Sequence, residues 1–345
     1  MSHILVAVSG GIDSLVTARI LQEEGHKIRA VHFLTGFQKK KPEKDMEELG
    51  KRLGCRIEIV DFSKDFQNHV IDNFVEEYRA GRTPNPCLIC NPAIKFGSLM
   101  SVAEKMDCMA VATGHYARIL PTEDGLAGLF RGRDKIKDQS YFLSRVPRYR
   151  LDNILFPLGS FTKEEVRQKA HIFKLEPLSE KESQDICFLP DGGYADFLET
   201  TGNIKPLPGP IVTTDGKVIG RHRGLHRYTI GQRRGLDCPG PAPYHVLALD
   251  TAHNHLVVGF REEMMASGCC VNNINWLMPL PSAALQITVK IRYRHQDVPA
   301  TLIPEGNSRA SVHFTAPQAA ITPGQGAVFY HKDRVLGGGF IQEKI

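Results

Sequence analysis

Apolar runs of strand length alternate with helix-period segments through the first half of the chain. The predicted strands are His3–Val8, Ile28–Phe33, Arg56–Asp61 and Cys108–Thr113, and the predicted helices are Ser14–Glu24, Pro42–Leu53, Phe66–Arg79 and Ala93–Lys105. Repeated β-α-β units of this kind predict a parallel sheet with helices on both faces. Such sheets bind ligands beyond the carboxyl ends of their strands.

The second half has a different pattern. Thr162 and Glu165 form a capping-box sequence that opens a predicted helix, Lys163–His171. After about residue 200, prolines and glycines interrupt the helical periodicity and short alternating segments follow. The predicted strands are Ile211–Thr214, Tyr244–Asp250, Gln286–Arg292, Ala300–Ile303, Ser311–Thr315, Ala327–Tyr330 and Val335–Gln342. We therefore predict an α/β catalytic domain over residues 1–200 and two smaller, mainly β domains over 201–268 and 269–345, the last barrel-like.

Composition narrows the class of protein. The 345 residues are 42% hydrophobic, enough to form ordinary cores, and no apolar run of about 18 residues predicts a membrane span. The first residues lack the pattern of a signal peptide, so we expect a cytoplasmic protein. Its net charge of +5 is compatible with a polyanionic partner. Eight cysteines without a secretory signal favour reactive, metal-binding or inert core thiols over a disulfide scaffold.

The first candidate site is the segment Ser9-Gly-Gly-Ile-Asp-Ser14, directly after the first strand. Its glycines allow close backbone approach to a phosphate, and the following helix offers free N–H groups and a partial positive charge. Asp13 is expected to act through Mg²⁺. The spacing and lysine of a Walker loop are absent. The structural alternative is a plain strand-to-helix turn capped by Asp13.

Two thiols form the second candidate site. Cys87 and Cys90 follow Pro84 and Pro86, which predict a rigid loop rather than a helix. A single C-x-x-C pair is half of a zinc site, and the chain contains no second pair. The helix predicted from Ala93 is expected to lower the pKa of Cys90 through its dipole.

A third thiol, Cys187, lies in the sequence Ser183-Gln-Asp-Ile-Cys-Phe188. The polar neighbours suggest an active-site loop, whereas Ile186 and Phe188 suggest a buried core cysteine. The residues alone leave both interpretations open.

Polar residues elsewhere add candidate contact sites. Gly114 and His115 follow a predicted strand, where a second wall of a nucleotide pocket belongs. Basic residues near tyrosines suit contact with phosphates and stacked bases, although exposed strand edges explain each cluster equally well. These clusters are Arg221 to Arg223, Arg233 with Arg234, and Arg292 to Arg294.

Taken in order, these motifs resemble the bacterial tRNA-specific 2-thiouridylase family over nearly the whole chain. The matching strings are SGGIDS, which is similar to the PP-loop of ATP pyrophosphatases, TPNP followed by CN and IKF, ATGHYAR, KDQSYFL, FPLG, SQDICF, YTIGQRRGL, KIRYR and PGQGAVFY through LGGG. The resemblance implies ATP-dependent 2-thiolation of the wobble uridine of tRNA. It also implies adenylation of the uridine C2 oxygen and a sulfur donor protein or sulfide source, because the chain lacks a desulfurase-like motif.

The resemblance also implies roles for individual residues. Cys90 is the expected nucleophile, and Cys187 is expected to carry the sulfur as a persulfide. The expected ATP-site residues are Ala7, Val8, Ser9, Gly10, Gly11, Ile12, Asp13, Ser14, Phe33 and Gly114. The expected base and tRNA contacts are Asn85, Pro86, His115, Lys137, Asp138, Gln139, Arg292, Tyr293 and Gln325.

The chain departs from the family at two places. Cys87 stands where the family usually has an aspartate, so Cys87, Cys90 and Cys187 form a three-thiolate set able to hold an iron–sulfur cluster with one open iron. We state this cluster as a hypothesis beside the disulfide route. The segment Leu34–Lys44, with lysines at 39–41, is shorter than usual in the family, so contacts made by that insertion do not transfer.

Two other classes of function remain as alternatives. A PP-loop synthetase that adenylates a small metabolite shares the nucleotide loop, but it needs neither the paired thiols nor two basic β domains. A non-catalytic RNA-binding protein does not need the intact Ser9, Asp13 and Ser14.

Overall fold

The protein is described from a computed structural model covering residues 3–38, 42–178, 186–190 and 192–345. The three lysines at 39–41 and the polar residues at 183–185 lie outside the described residues.

In chain order, the strands are β1 His3–Ala7, β2 Lys27–Leu34, β3 Ile57–Asp61, β4 Ala110–Ala112, β5 Ala117–Pro121, β6 Ala127–Arg131, β7 Ile154–Leu155, β8 Gly209–Thr213, β9 Val218–His222, β10 His245–Asp250, β11 His255–Gly259, β12 Met265–Trp276, β13 Leu285–Lys290, β14 Val298–Pro304, β15 Ala310–Ala319, β16 Gly326–His331 and β17 Arg334–Lys344. The α-helices are α1 Ile12–Glu23, α2 Glu43–Leu53, α3 Ser63–Phe66, α4 Asp72–Arg79, α5 Cys87–Cys90, α6 Leu99–Lys105, α7 Ser140–Leu143, α8 Lys163–Ile172 and α9 Gly193–Thr200. Gln67–Ile71 and Asn91–Ser98 are π-helical, and short 3₁₀ turns span Arg148–Asn153, Pro157–Ser160, Leu225–Arg227 and Arg261–Met264.

The N-terminal sheet has the strand order β3-β2-β1-β4-β7 with parallel pairing throughout, which confirms the predicted fold class. Ile4, Leu5 and Val6 of the central strand are fully buried. Leu5 faces one hydrophobic cluster, while Ile4 and Val6 face another on the opposite side. This alternation places helices on both faces and leaves the carboxyl ends of β1, β2 and β4 along one edge.

The second half forms two antiparallel-rich sheets, as the alternating pattern predicts. The smaller has the order β10-β11-β8-β9, and β12 to β17 close on themselves through the pairing of β12 with β17. The sequence did not predict that the hairpin β5–β6 of the N-terminal half joins this barrel sheet. It does so through Phe130, which pairs with Arg334 of β17.

The predicted rigid loop around the first two thiols is wrong in its second part. The chain becomes helical at Cys87 and continues through α5 into the π-helical segment and α6. Pro86 stands just before the first helical residue with φ −64° and ψ −22°, values that suit the start of a helix. Proline is tolerated there because the first N–H groups of a helix have no partner within it.

Within the described ranges, every helix falls short of the length and apolar character that crossing a membrane requires. The capping box predicted at α8 is confirmed: the Glu165 N–H donates to Thr162 Oγ1 at 3.3 Å, and the Thr162 N–H donates to Glu165 Oε2 at 2.7 Å.

Thr162→Ala tests how much this cap stabilises α8. Alanine leaves the Glu165 N–H without its side-chain acceptor, so we expect the free energy of unfolding to fall by about 1 kcal/mol. Urea denaturation followed by circular dichroism measures this loss. The control is Thr201→Ala, at an exposed threonine at the end of α9. An equal loss in both variants would contradict a specific contribution of the cap.

Candidate active site

The loop between β1 and α1 is organised by two serine hydroxyls. Ser14 Oγ donates to the Gly11 carbonyl at 2.8 Å and accepts from the Ser9 N–H at 3.2 Å. Ser9 Oγ accepts from the Gly11 N–H at 3.4 Å, and Ser9 itself is exposed. The loop is therefore ordered before any ligand arrives, at the N-terminus of a helix of 12 residues.

Glycine is required at two places around this loop. Gly10 has φ +86°, and a Cβ there would lie 2.6 Å from Leu178 Cδ1. A Cβ on Gly114, just after β4, would lie 2.9 Å from the backbone of Asp13. Because these close approaches shape a shallow backbone cradle at a helix N-terminus, the loop fits a phosphate-bearing ligand such as ATP.

The other predicted ATP-site residues lie at the same edge of the sheet. Ala7 ends β1, buried Val8 donates its N–H to the Val31 carbonyl at 2.8 Å, and Ile12 begins α1. Phe33 lies near the end of β2 with its ring centroid 5.8 Å from that of Phe62.

Asp13 is held by a buried lysine that the sequence analysis did not single out. Lys163 Nζ lies 2.8 Å from both carboxylate oxygens of Asp13, and the Tyr116 hydroxyl donates to Oδ1 at 2.8 Å. In this conformation the Asp13 carboxylate joins the loop after β1 to α8 through Lys163 and to the segment after β4 through Tyr116. The role of Asp13 in binding Mg²⁺ stays a prediction.

The three thiols lie near one another although Cys187 is distant in sequence. Cys87 and Cys90 are half-buried in α5, and Cys187 is exposed. The adjacent Phe188 is buried against Phe37, Phe66, Phe74 and Phe197, so the aromatic cluster anchors the chain beside Cys187. Cys187 as a whole residue is exposed rather than part of the core, while its sulfur lies against the protein.

Lys95 is directed toward this thiol site by the π-helical turn. It follows Cys90 by five residues, a separation that would place it about 140° around an α-helix. In π-helical geometry the i→i+5 hydrogen bonds bring such residues one above the other. Lys95 acts electrostatically on Cys87, Cys90 and Cys187 alike.

His115 supports Lys95. Lys95 Nζ lies 3.2 Å from His115 Nε2, and Thr113 Oγ1 lies 2.6 Å from His115 Nδ1. Burial, reinforced by the Lys95 charge, holds the pKa of His115 well below its usual value. A neutral ring accepts a hydrogen bond from the ammonium at Nε2, so its own proton lies on Nδ1 toward Thr113.

Desolvation controls the thiols themselves. It raises the pKa of Cys90 to about 12 and also raises the pKa of Cys87 and of Cys187, whose sulfur lies against the protein. Lys95 partly opposes this effect at each thiol. The dipole-lowered pKa expected for Cys90 is therefore wrong, because Cys90 lies inside the helix rather than before its N-terminus.

Among the described residues, no group of three or more His, Cys, Asp or Glu side chains is arranged to hold a metal ion. The thiols are neighbours electrostatically, but in this conformation they do not form a ligand set for an iron–sulfur cluster.

The structure separates the predicted tRNA contacts into two groups. Asn85, Lys137, Gln139, Tyr293 and Gln325 are half-buried, and Arg292 is exposed, so all six reach the surface. Three others are buried: Pro86, His115 and Asp138.

His115 and Asp138 are held by contacts within the fold, and their expected role of contacting or orienting tRNA stays a prediction. The ring nitrogens of His115 are engaged by Lys95 and Thr113, as described above. Asp138 accepts from the N–H groups of Gly132 and Ser140 at 3.0 and 3.1 Å. Gln325 donates from Nε2 to the Thr83 carbonyl at 2.8 Å, so its amide nitrogen holds the segment before α5.

Comparison with known proteins covers the whole architecture. Family models match residues 2–191 as a tRNA methyl transferase HUP domain, 195–260 as a tRNA methyl transferase PRC-barrel domain and 266–341 as an aminomethyltransferase beta-barrel domain. A tRNA-specific 2-thiouridylase MnmA from Desulfosudis oleivorans is 46% identical over 98% of this chain and 94% of its own length. This chain belongs to the tRNA-specific 2-thiouridylase family.

Other relatives agree with this assignment. The 2-thiouridylase MnmA of Syntrophotalea carbinolica is 43% identical, with 98% of both chains covered. A solved 4-thiouridine synthetase–RNA complex with bound ATP is 19% identical over 50% of this chain and 40% of its own, with a TM-score of 0.32. That structural likeness is too low to support an argument about this 2-thiouridylase family member.

Sequence reasoning missed Lys95, Lys163 and Tyr116 as parts of the site. Lys95 belongs to the IKF string and Lys163 to the capping-box segment, and neither motif by itself indicates a role in the site. Their partners, His115 and Asp13, are 20 and 150 positions away, and only the folded chain brings them together.

The raised thiol pKa predicts how Cys90 reacts with iodoacetamide. Because the thiolate is the nucleophile, alkylation of Cys90 should keep rising beyond about pH 10 instead of levelling off near an ordinary cysteine pKa. Lys95→Met removes the opposing cation and should slow the reaction at about pH 9 by roughly tenfold, the equivalent of one pKa unit. Peptide mapping by mass spectrometry after timed labelling measures Cys90 separately from the other cysteines.

The matched control is Lys105→Met, which removes an exposed lysine at the end of α6. Equal rates of Cys90 alkylation in the Lys95→Met and wild-type proteins would show that Lys95 does not affect the pKa of Cys90.

Proposed function

We propose that this chain is a tRNA-uridine 2-sulfurtransferase that uses ATP to thiolate the wobble uridine of tRNA. The observation that carries the proposal is that the charge of one ammonium group, Lys95, acts on both Cys90 and Cys187, which are far apart in sequence. The relatives named as tRNA-specific 2-thiouridylases support the substrate class.

In the first step, the C2 oxygen of the uridine attacks the α-phosphorus of ATP, and pyrophosphate leaves. The loop from Ser9 to Ser14 is suited to bind the phosphates through backbone N–H groups at the start of α1. Gly114 allows the loop to lie against the chain after β4. Asn85 and Pro86, which come directly before the thiol helix, are proposed to lie beside the base.

In the second step, the terminal sulfur of a Cys187 persulfide attacks C2, and AMP leaves. The Cys90 thiolate then attacks Cys187 Sγ and breaks the S–S bond. This releases 2-thiouridine and forms a Cys90–Cys187 disulfide, which a thiol reductant returns to two thiols. A donor protein that carries sulfane sulfur as a persulfide must reload Cys187: the Cys187 thiolate attacks the outer sulfur of the donor, and the donor leaves as a thiol. Because the residue Cys187 is exposed, it is suited to receive that sulfur from a donor protein. Cys90 is half-buried and is suited to form the disulfide with Cys187.

The surface residues Lys137, Gln139, Arg292, Tyr293 and Gln325 are proposed to contact tRNA. Exposed Arg292 supplies a cation for phosphate, and the Tyr293 ring, whose centroid lies 4.3 Å from that of Phe142, supplies an aromatic face.

tRNA-dependent release of pyrophosphate distinguishes this function from adenylation of a small metabolite. We expect pyrophosphate from ATP only when unmodified tRNA is present, because the uridine oxygen is the nucleophile. Fully 2-thiolated tRNA, which has sulfur in place of the C2 oxygen, is the matched control and should release none. Release without tRNA would favour the synthetase alternative, and tRNA binding without release by the wild-type protein would favour a non-catalytic RNA-binding protein.

Cys87 separates disulfide chemistry from cluster chemistry. We propose the disulfide route, so the anaerobically purified wild-type protein should contain neither iron nor acid-labile sulfide and should still thiolate tRNA. Cys87→Asp should keep most of that activity, whereas Cys90→Ser should lose at least about a hundredfold, as expected for removal of a nucleophile. Liquid chromatography of digested tRNA measures the 2-thiouridine. Stoichiometric iron and sulfide, with loss of activity in Cys87→Asp, would instead establish the cluster route.

A further inference from the structure

The loop between β6 and α7 is shaped by one carboxylate, that of Asp134. Its Oδ1 accepts from the N–H groups of Ile136 at 3.0 Å and Lys137 at 3.1 Å. This turn presents Ile136, which is 87% exposed, between Lys135 and Lys137. The Lys135 ammonium is paired with Asp333 Oδ1 at 2.6 Å, so the tip presents chiefly the apolar surface of Ile136, which suits contact with a base or sugar of a nucleic acid.

The second oxygen of the same carboxylate is connected to the nucleotide loop through Lys163. Asp134 Oδ2 accepts from the backbone N–H of Lys163 at 2.9 Å. The ammonium of Lys163 in turn contacts both oxygens of Asp13, at 2.8 Å. Lys163 thus contacts the tip loop with its backbone and the nucleotide loop with its side chain.

The position of Lys163 at the start of α8 explains both contacts. The first N–H groups of a helix lack partners within it, and the helix N-terminus favours a negative charge. Burial opposes ionisation of Asp134, but the three backbone N–H donors outweigh it and lower the pKa of the carboxyl. Asp134 is therefore charged at neutral pH and remains bonded at both oxygens.

We propose that Asp134 and Lys163 are positioning residues that couple ATP binding at the Ser9–Ser14 loop to tRNA binding at the loop around Ile136. The inference rests on the proposed function, which supplies ATP and tRNA as the two ligands. Phosphates arriving beside Asp13 attract the Lys163 ammonium and repel the carboxylate. A shift of Lys163 moves the N–H that holds Asp134, and Asp134 then moves the tip loop. By linkage, each ligand changes the affinity for the other by the same factor.

Asp134→Asn breaks this connection selectively. Asparagine has one oxygen, so whichever way the amide is oriented, an NH₂ group faces either the Lys163 N–H or the two N–H groups of the tip loop. The measurement is the dissociation constant of α,β-methylene-ATP with Mg²⁺, determined by calorimetry with and without unmodified tRNA. For the wild type we expect tRNA to tighten binding by at least about fivefold, within the usual range of coupling. For Asp134→Asn we expect a ratio near one, with the affinity for the analogue alone unchanged.

The matched control is Asp152→Asn, which removes an exposed carboxylate elsewhere in the same half of the chain and should keep the wild-type ratio. Hydrogen exchange gives a second readout: the analogue alone should change protection of the amides at 135–138 in the wild type and not in Asp134→Asn. If Asp134→Asn does not fold, Asp134→Ser replaces it, since the shorter hydroxyl can cap the turn without reaching Lys163.

A wild-type ratio near one would overturn the coupling, and a full ratio in Asp134→Asn would overturn the assignment of its route. Failure of the proposed function has a different result, namely a wild-type protein that binds no tRNA and releases no pyrophosphate in its presence.

Discussion

The contact between Asp13 and Lys163 is the interaction on which the geometry of the nucleotide site depends. The Lys163 side chain is 8% exposed, so its ammonium is nearly excluded from water and needs a counter-charge. Breaking a fully buried ion pair costs about 3–5 kcal/mol, and less here because the Asp13 side chain keeps 32% exposure. The loop after β1 is therefore fixed against α8, Tyr116 donates to the same carboxylate, and Gly114 lies against the backbone of Asp13.

The C-terminal barrel forms part of the thiol site. The Thr83 N–H donates to the Pro323 carbonyl at 2.9 Å, and the Thr83 carbonyl accepts from Gln325. The Tyr141 hydroxyl donates to the Gly326 carbonyl at 3.1 Å. A Cβ on Gly326 would lie 2.5 Å from Leu88, inside α5. The position of the thiol helix therefore depends on a barrel segment more than 230 residues later in the chain, so the barrel is a structural component of the site as well as a candidate RNA surface.

The sequence predicted those features whose causes are local. The parallel sheet follows from buried strands such as Ile4–Val6, and the start of α8 follows from Thr162 and Glu165, whose two hydrogen bonds need only adjacent residues. The sequence did not predict the helix at Cys87, because prolines disfavour helix in the residues that precede them. Pro86 does not prevent a helix from starting directly after it.

Features that depend on distant partners escaped prediction for a different reason. By its position in the sequence, the hairpin β5–β6 belongs to the α/β domain, but in the structure β6 pairs with β17 of the barrel. Nothing in the sequence of the hairpin itself specifies that neighbour. Asp13 has the sequence context of a metal ligand, and its pairing with Lys163 becomes evident only when α8 packs against α1. Hydrophobic periodicity indicates which face of a helix or strand is buried. It does not indicate which charged side chain of another element packs against that face.

The effect of a cysteine at position 87 depends on the charge of Lys95. The charge of Lys95 acts on Cys87, so an aspartate at this position would bring a carboxylate into the same field and neutralise part of the effect of Lys95 on the neighbouring thiols. A cysteine whose pKa is raised by desolvation stays largely protonated at neutral pH, so it leaves the ammonium charge to act on Cys90 and Cys187. His115 keeps that charge in place without competing for it, because its neutral ring accepts a hydrogen bond from the Lys95 ammonium and adds no charge of its own. A thiol rather than a carboxylate at position 87 therefore leaves the charge of Lys95 available to stabilise a thiolate at Cys90 or Cys187. This effect does not require Cys87 to be a ligand of an iron–sulfur cluster.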